Sequence, residues 1–199
     1  EMPKGDSEGR MHGFQLWANL PARDKMMEPR YRGIRSGEIP LVERPGGVKI
    51  RLIAGEVDGV RGPVRDVVTG PEYLDVTISA VGRFSHPVPR GHTSFAYVIG
   101  GRAAFSRESD PFSWEAEGEN YFDLERRHFT GDRTLVLFGD GDGIEARADE
   151  QGARFLLVSG RPIGEPVAWY GPIVMNTREE LRTAFREFEE GTFVKKGGD

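Results

Sequence analysis

The chain of 199 residues contains no cysteine, and that one absence removes disulfides, thiolate metal ligands and cysteine nucleophiles together. Such a composition suits a reducing compartment, and any metal must be taken by His, Asp or Glu. Histidine is itself scarce: the 4 in the chain are His12, His86, His92 and His128. No stretch approaches the roughly 18 consecutive apolar residues that cross a bilayer, and no charged-then-apolar leader opens the chain. The protein is therefore expected to be soluble and to have no membrane partner. Basic residues are not in excess, with 27 Lys and Arg against 32 Asp and Glu and a net charge of -5. Neutralising a phosphate backbone needs a basic surface, so direct nucleic-acid binding is not expected. Helical periodicity is nearly missing as well, and the chain does not open on Met.

What the chain has is enough apolar material for a core, 37% hydrophobic with 10% aromatic residues, punctuated by 27 Gly and 13 Pro. Val48, Ile50 and Leu52 alternate with polar neighbours, and Leu74, Val76 and Ile78 do the same within 73–79, the period of a strand with one buried face. Further strands are expected at Thr93–Ile99, Arg102–Phe105, Asn120–Leu124, Thr134–Phe138, Gly143–Ala148 and Arg154–Ser159. About eight short strands separated by Gly and Pro, with no helix between them, call for an all-β sandwich or barrel. The opening run 12–21 also alternates: Phe14, Leu16 and Ala18 on one side, Gln15, Trp17 and Asn19 on the other. It reads as a strand whose partners precede Glu1, so the chain is expected to begin within a domain.

A single segment has a convincing helical stripe: Leu181, Ala184, Phe185 and Phe188 fall at i, i+3, i+4 and i+7. Asn176 or Thr177 can cap it, Glu179 or Glu180 can complete a capping box, and Gly191 can stop it, which places the helix at 178–190. Its mixed charge favours docking on its own protein over an anionic membrane.

Three stretches carry a family resemblance. HGFQLWANLP at 12–21 is followed by Lys25, Met26, Pro29 and Tyr31; Gly164-Glu165-Pro166-Val167 leads to Gly171-Pro172-Ile173-Val174-Met175-Asn176-Thr177; and His86 to Tyr97 is similar to a degenerate second cupin motif. Together they resemble the pirin family of two-domain cupins over nearly the whole chain. The resemblance implies a double-stranded β-helix (jelly-roll) fold. It implies three divisions: 1–40 as the end of a metal-bearing N-terminal cupin with a linker, 41–165 as a complete metal-free cupin, and 166–199 as a tail carrying the helix. The acidic, aromatic stretch Arg107–Arg133 is the least familiar part and reads as a long hairpin loop.

In that family three histidines and one glutamate hold a metal, usually iron, in the first cupin. The glutamate comes from a His-x-Glu-Met-Pro segment, and the chain opens Glu1-Met2-Pro3, so the resemblance places Glu1 as the fourth ligand with the other three upstream. Fe(II) is thus expected in the intact protein and no metal in this chain alone. In the second cupin the resemblance puts Pro87 and Pro89 at the two histidine slots and Thr93 at the acidic one, and proline has no donor to offer. His86 and His92 sit six apart around a Pro-rich loop that does not set them on one strand face, and His86, just outside those slots, is expected on a loop or rim; His12 reads as structural, and His128 as loop surface. The turn Gly139-Asp140-Gly141-Asp142-Gly143 lacks the spacing of a calcium loop and reads as a plain connection. Arg30, Arg32 and Arg35 around Tyr31 read as a solvated linker. No catalytic residue and no organic-cofactor site is assigned by the sequence.

The resemblance implies two roles for the intact protein. One is a quercetin 2,3-dioxygenase type of activity on a flavonol-like small molecule, with this chain alone inactive. The other is a metal-dependent protein-binding role, as in transcriptional co-regulation, or a non-catalytic scaffold. A cytoplasmic location is expected, nuclear also in a eukaryote.

Overall fold

The computed structural model describes residues 5, 7–105 and 128–195. Glu1, the strand expected at 120–124, positions 107–127 of the acidic stretch and the last four residues lie outside the described residues. Backbone packing divides the chain into two compact units, Pro29–Gly164 and a second that joins Glu1–Glu28 to Glu165–Asp199.

The larger unit is built of antiparallel strands: β1 (Leu41–Arg44), β2 (Val48–Ala54), β3 (Glu56–Val57), β4 (Val60–Arg61), β5 (Glu72–Ile78), β6 (Arg83–Pro87), β7 (Thr93–Ala104), β8 (Leu135–Leu137) and β9 (Gly143–Gly160). The main sheet runs β1-β2-β5-β9-β7-β8, with β6 paired to the first part of β9, while β3 and β4 pair only with each other. The period-two alternation works as anticipated. Val48, Ile50, Leu52, Leu74, Val76, Ile78, Phe84, Val98, Ile144, Phe155 and Leu157 all turn into one buried apolar cluster. At roughly 25 cal/mol per Å² of apolar surface removed from water, these side chains are the main force closing the sheet on itself.

Two pairs of expected short strands prove to be single long ones. Thr93–Ile99 and Arg102–Phe105 merge into β7, and Gly143–Ala148 and Arg154–Ser159 into β9, with register shifts between Val98 and Gly100 and between Gly101 and Ala103. Gly101 has φ of +68° and lies so close to the Gly152 carbonyl that a Cβ would collide with it. The glycines that read as strand breaks are where two long strands bend together without separating. The sequence pattern also missed β1, the β3–β4 hairpin and β6, all short.

The second unit contains a hairpin of β10 (Ala168–Tyr170) and β11 (Ile173–Met175), against which α1 (Arg178–Glu189) packs. Ile173, Met175 and Ala184 are buried together, with Leu181, Phe185 and Phe193 around them. The helix boundaries agree with the sequence to one residue, and the cap is resolved in favour of Thr177. Its hydroxyl accepts from Glu180 N at 3.2 Å, and the Glu180 carboxylate accepts from Thr177 N at 2.9 Å. Phe188, expected on the docking stripe, stays 58% exposed.

The opening run is a correction. No strand forms across 12–21, only a 3-10 turn at Ala22–Asp24, and Phe14, Leu16 and Trp17 are exposed. Alternation gives a segment two faces, but a strand also needs a neighbour's N–H and C=O groups, and no described residue offers them here.

Candidate functional site

Two side-chain constellations emerge from the described residues, one in each unit. In the larger unit, Glu72 opens β5 on the same face as Leu74, Val76 and Ile78, and His86 shares the inward face of β6 with Phe84. Their strands bring His86 Nε2 to 2.7 Å from Glu72 Oε2. His86 is 3% exposed and its ring stacks on Phe84 at 6.0 Å between centroids. Its Nδ1 is buried with no hydrogen-bonding partner. An imidazole and a carboxylate so placed satisfy each other through Nε2 and leave one ring nitrogen unpaired, which costs stability and marks the spot as unusual.

This corrects the loop or rim position expected for His86. The residues Arg83 to Pro87 alternate exposed and buried as a strand should, and Pro87 is tolerated because it is the last residue of β6, opposite Gly143. The signal was present in the sequence as Phe84 and His86 flanked by Arg83, Ser85 and Pro87, but the prolines at 87 and 89 masked it.

Arg44 surrounds this pair with a second set of contacts. Its guanidinium holds both oxygens of Asp58, at 2.7 and 2.9 Å, and donates to the Ser85 carbonyl at 2.9 Å. The Arg44 hydrogen bond holds the Asp58 carboxyl below the usual carboxylate range. On the outward face of β5, Asp75 is paired through both oxygens to Arg154, at 2.9 and 2.6 Å. Burial, aided by the Asp75 charge, pushes the Tyr73 phenol above its ordinary value. A pocket of about 550 Å³ lies beside β6 and the start of β9, lined by Ser85, Pro87, Phe105, Asp142 and Glu145 with His86.

The other expected sites fall as follows. Asp140 accepts from Gly91 N at 2.7 Å and Asp142 faces Arg90 at 3.3 Å, so the Gly139–Gly143 turn clasps the loop after Pro89. Arg30 and Arg32 donate to the Asp66 and Arg65 carbonyls at 2.6 and 2.8 Å, pinning the segment that the sequence alone presents as a solvated linker. His12 stands 5.0 Å from Phe14, and His128 5.5 Å from Phe129, centroid to centroid. Nothing brings the histidines together.

A mononuclear iron site needs several nitrogen and carboxylate donors converging on one point. Among the described residues no three His, Asp or Glu do so, the side chains at 87 and 89 carry no donor, and His86 is already engaged with Glu72. The described residues do not fit iron. No helix among them is long and apolar enough to cross a membrane.

In the smaller unit a polar knot joins segments from opposite ends of the chain. Glu165 Oε2 accepts from Ala22 N at 2.7 Å and from Asn176 Nδ2 at 2.9 Å. Lys25 Nζ donates to Asn19 Oδ1 at 2.6 Å. Burial pushes the Lys25 ammonium down from its ordinary value, opposed by the charges of Glu165 and Glu180. Trp17 meets Trp169 edge to face at 6.4 Å. The two terminal segments thus meet through Ala22 and Glu165 and through Trp17 and Trp169, while Lys25–Asn19 and Glu165–Asn176 brace each segment within itself.

Residues 73–194 match the Pirin C-terminal cupin domain. A pirin-like protein of Caulobacter vibrioides is 38% identical over 195 residues, which are 97% of this chain and 62% of that one. Human pirin is 36% identical over 189 residues, 94% of this chain and 58% of that protein. The structure of a quercetin 2,3-dioxygenase from Acinetobacter baumannii superposes with a TM-score of 0.70 at 27% identity, covering 89% of this chain and 55% of that one. The chain therefore spans about three fifths of the length of these curated relatives, and its β-rich larger unit has the cupin fold expected from the sequence.

Proposed function

Since the chain belongs to the pirin family, we propose that it works as the metal-free cupin and terminal knot of a longer protein that oxidises a flavonol-like small molecule in the manner of a quercetin 2,3-dioxygenase. The observation that carries this reading is the contrast between the two units. The larger one has an interior filled with apolar side chains and, among its described residues, no converging donor set, as a supporting domain would. The smaller one ties the segment that follows Glu1 to Glu165 and Asn176.

In this proposal Glu1 is one ligand of an Fe(II) centre whose other ligands come from outside this chain. The residues of this chain then serve by position: Glu165 and Lys25 fix the path of the segment leading from Glu1. The test is oxygen uptake with quercetin, measured on this chain and on a longer form that carries three further histidines upstream. Turnover is expected in the longer, iron-loaded protein and not in the 199-residue chain. A longer protein that binds iron yet consumes no oxygen across a panel of flavonols overturns the enzyme reading.

One feature favours a second reading, a role in binding a protein partner: Trp17, Trp169 and Tyr170 are 64%, 65% and 70% exposed within one unit. Large exposed aromatics are a common basis for protein recognition. A partner whose affinity is unchanged by Trp169→Ala and by removal of the metal counts against it.

A further inference from the structure

The hairpin of β3 and β4 differs from every other strand pair in the larger unit, because it hydrogen-bonds with itself and not with the main sheet. Its turn, Asp58-Gly59, has φ of +52° and +78°, the paired left-handed conformation of a two-residue hairpin. Its base is pinched by Gly62 N donating to Gly55 O at 3.0 Å. Val57 is 2% exposed and joins the apolar cluster, while Val60, across from it, is 38% exposed. The Glu56–Arg61 pair on the hairpin lies at the surface. At the base the returning chain is fixed to β2 by Val64 N donating to Ile53 O at 3.1 Å; beyond that hinge, one buried valine and one guanidinium are the principal ties on residues 56–61.

Both ends of the hairpin connect to the surroundings of the His86–Glu72 pair. At its base, Gly55 packs so closely on Glu72 that an added Cβ would lie 3.0 Å from the Glu72 Cγ. At its tip, Asp58 is held by Arg44, and the same guanidinium holds the carbonyl of Ser85, the residue before His86. The hairpin thus touches β5 directly at Glu72 and is linked to β6 through Arg44. A segment with few buried contacts and no share in the main ladder opens at a lower free energy than the strands beneath it.

We propose that the β3–β4 hairpin is a flap that opens as a unit, latched by the Arg44–Asp58 pair, and that its opening gives small polar solutes access to His86 and Glu72. The flap is independent of the reaction proposed above, since it needs neither iron nor the upstream residues. The pocket beside β6 and β9 borders His86 without any hairpin residue in its lining, so the flap is a separate approach to the pair, from the Glu72 side where Gly55 packs.

The test is native-state hydrogen exchange on the full chain, with carbethoxylation of His86 by diethyl pyrocarbonate as a second readout and the surface His12 as reference. The hairpin amides are expected to exchange by a local opening that is nearly independent of low denaturant, while Leu74 and Val76 in β5 exchange only with larger unfolding. Asp58→Asn and Arg44→Gln should each speed hairpin exchange about fivefold, the size expected for an exposed charge pair, with β5 unchanged. His86 labelling should rise in parallel. Hairpin amides that exchange at the rate and denaturant dependence of β5 overturn the proposal. So does a uniform acceleration of all strands by both substitutions, or faster hairpin exchange with no change in His86 labelling.

Discussion

At the scale of single residues, the polar contacts of this protein differ in what surrounds them. Asp75 is 8% exposed and depends on Arg154 for both of its oxygens. Arg154→Ala leaves a buried carboxylate without its partner, so a loss of about 1–3 kcal/mol is expected, read as a lower urea midpoint at constant slope. Adding Asp75→Asn to that variant should recover part of the loss, because the charge is then gone as well. Asp58 behaves differently, being exposed and held by Arg44. Its folded carboxyl sits below the unfolded value of about 3.9, so its contribution is present above that pH and fades as pH falls through the depressed folded value. Asp58→Asn should therefore make stability less steep in pH below about 4, checked by urea midpoints measured across that range. Neither dependence is visible in sequence, where Asp75 and Arg154 stand 79 positions apart and Asp58 reads as an ordinary turn residue.

At the scale of elements, local chemistry accounts for the helix almost completely. The stripe of Leu181, Ala184 and Phe185 meets Ile173 and Met175, and Thr177 with Glu180 closes the first turn. Thr177→Ala should cost about 1 kcal/mol and Thr177→Ser much less, measured by thermal unfolding of the smaller unit. The strands show the limit of the same reasoning. Period two gave the buried faces of β2 and β5 correctly, yet the opening run carries an equal alternation and forms no strand. Its hold is the Glu165 knot. Glu165→Ala removes the acceptor for Ala22 N and Asn176 Nδ2, and tryptic cleavage after Arg23 and Lys25 is expected to accelerate while cleavage within 41–104 does not.

At the scale of the whole molecule, each unit has its own apolar cluster, one extensive and one small. Phe155, fully buried with Phe84 and Phe105 edge-on to it at 5.7 and 5.1 Å, is the centre of the first. Phe155→Ala should cost about 3–5 kcal/mol and be felt by exchange throughout β5, β7 and β9. Phe185→Ala should loosen β10, β11 and α1 and leave the β5 amides unchanged. A shared response to both substitutions would show that the units unfold together. The same partition brings two of the three stretches that carry the family resemblance, 12–25 and 165–177, into one unit. Within the smaller unit those two motifs meet through Ala22–Glu165 and Trp17–Trp169.

The sequence by itself determined which faces of β2 and β5 are buried, where the one long helix starts and stops, what chemistry the missing cysteines rule out, and which family the terminal motifs resemble. These are properties of neighbouring residues, since propensity, periodicity and capping act within a few positions of the chain. Only the tertiary structure decided that the strands around Gly101 and Gly152 are continuous, that His86 turns inward to meet Glu72, and that Ala22 and Glu165 join across 143 positions. The physical reason is that a side chain's need for a partner is local, whereas the partner's identity depends on which distant strand or segment the fold delivers to it.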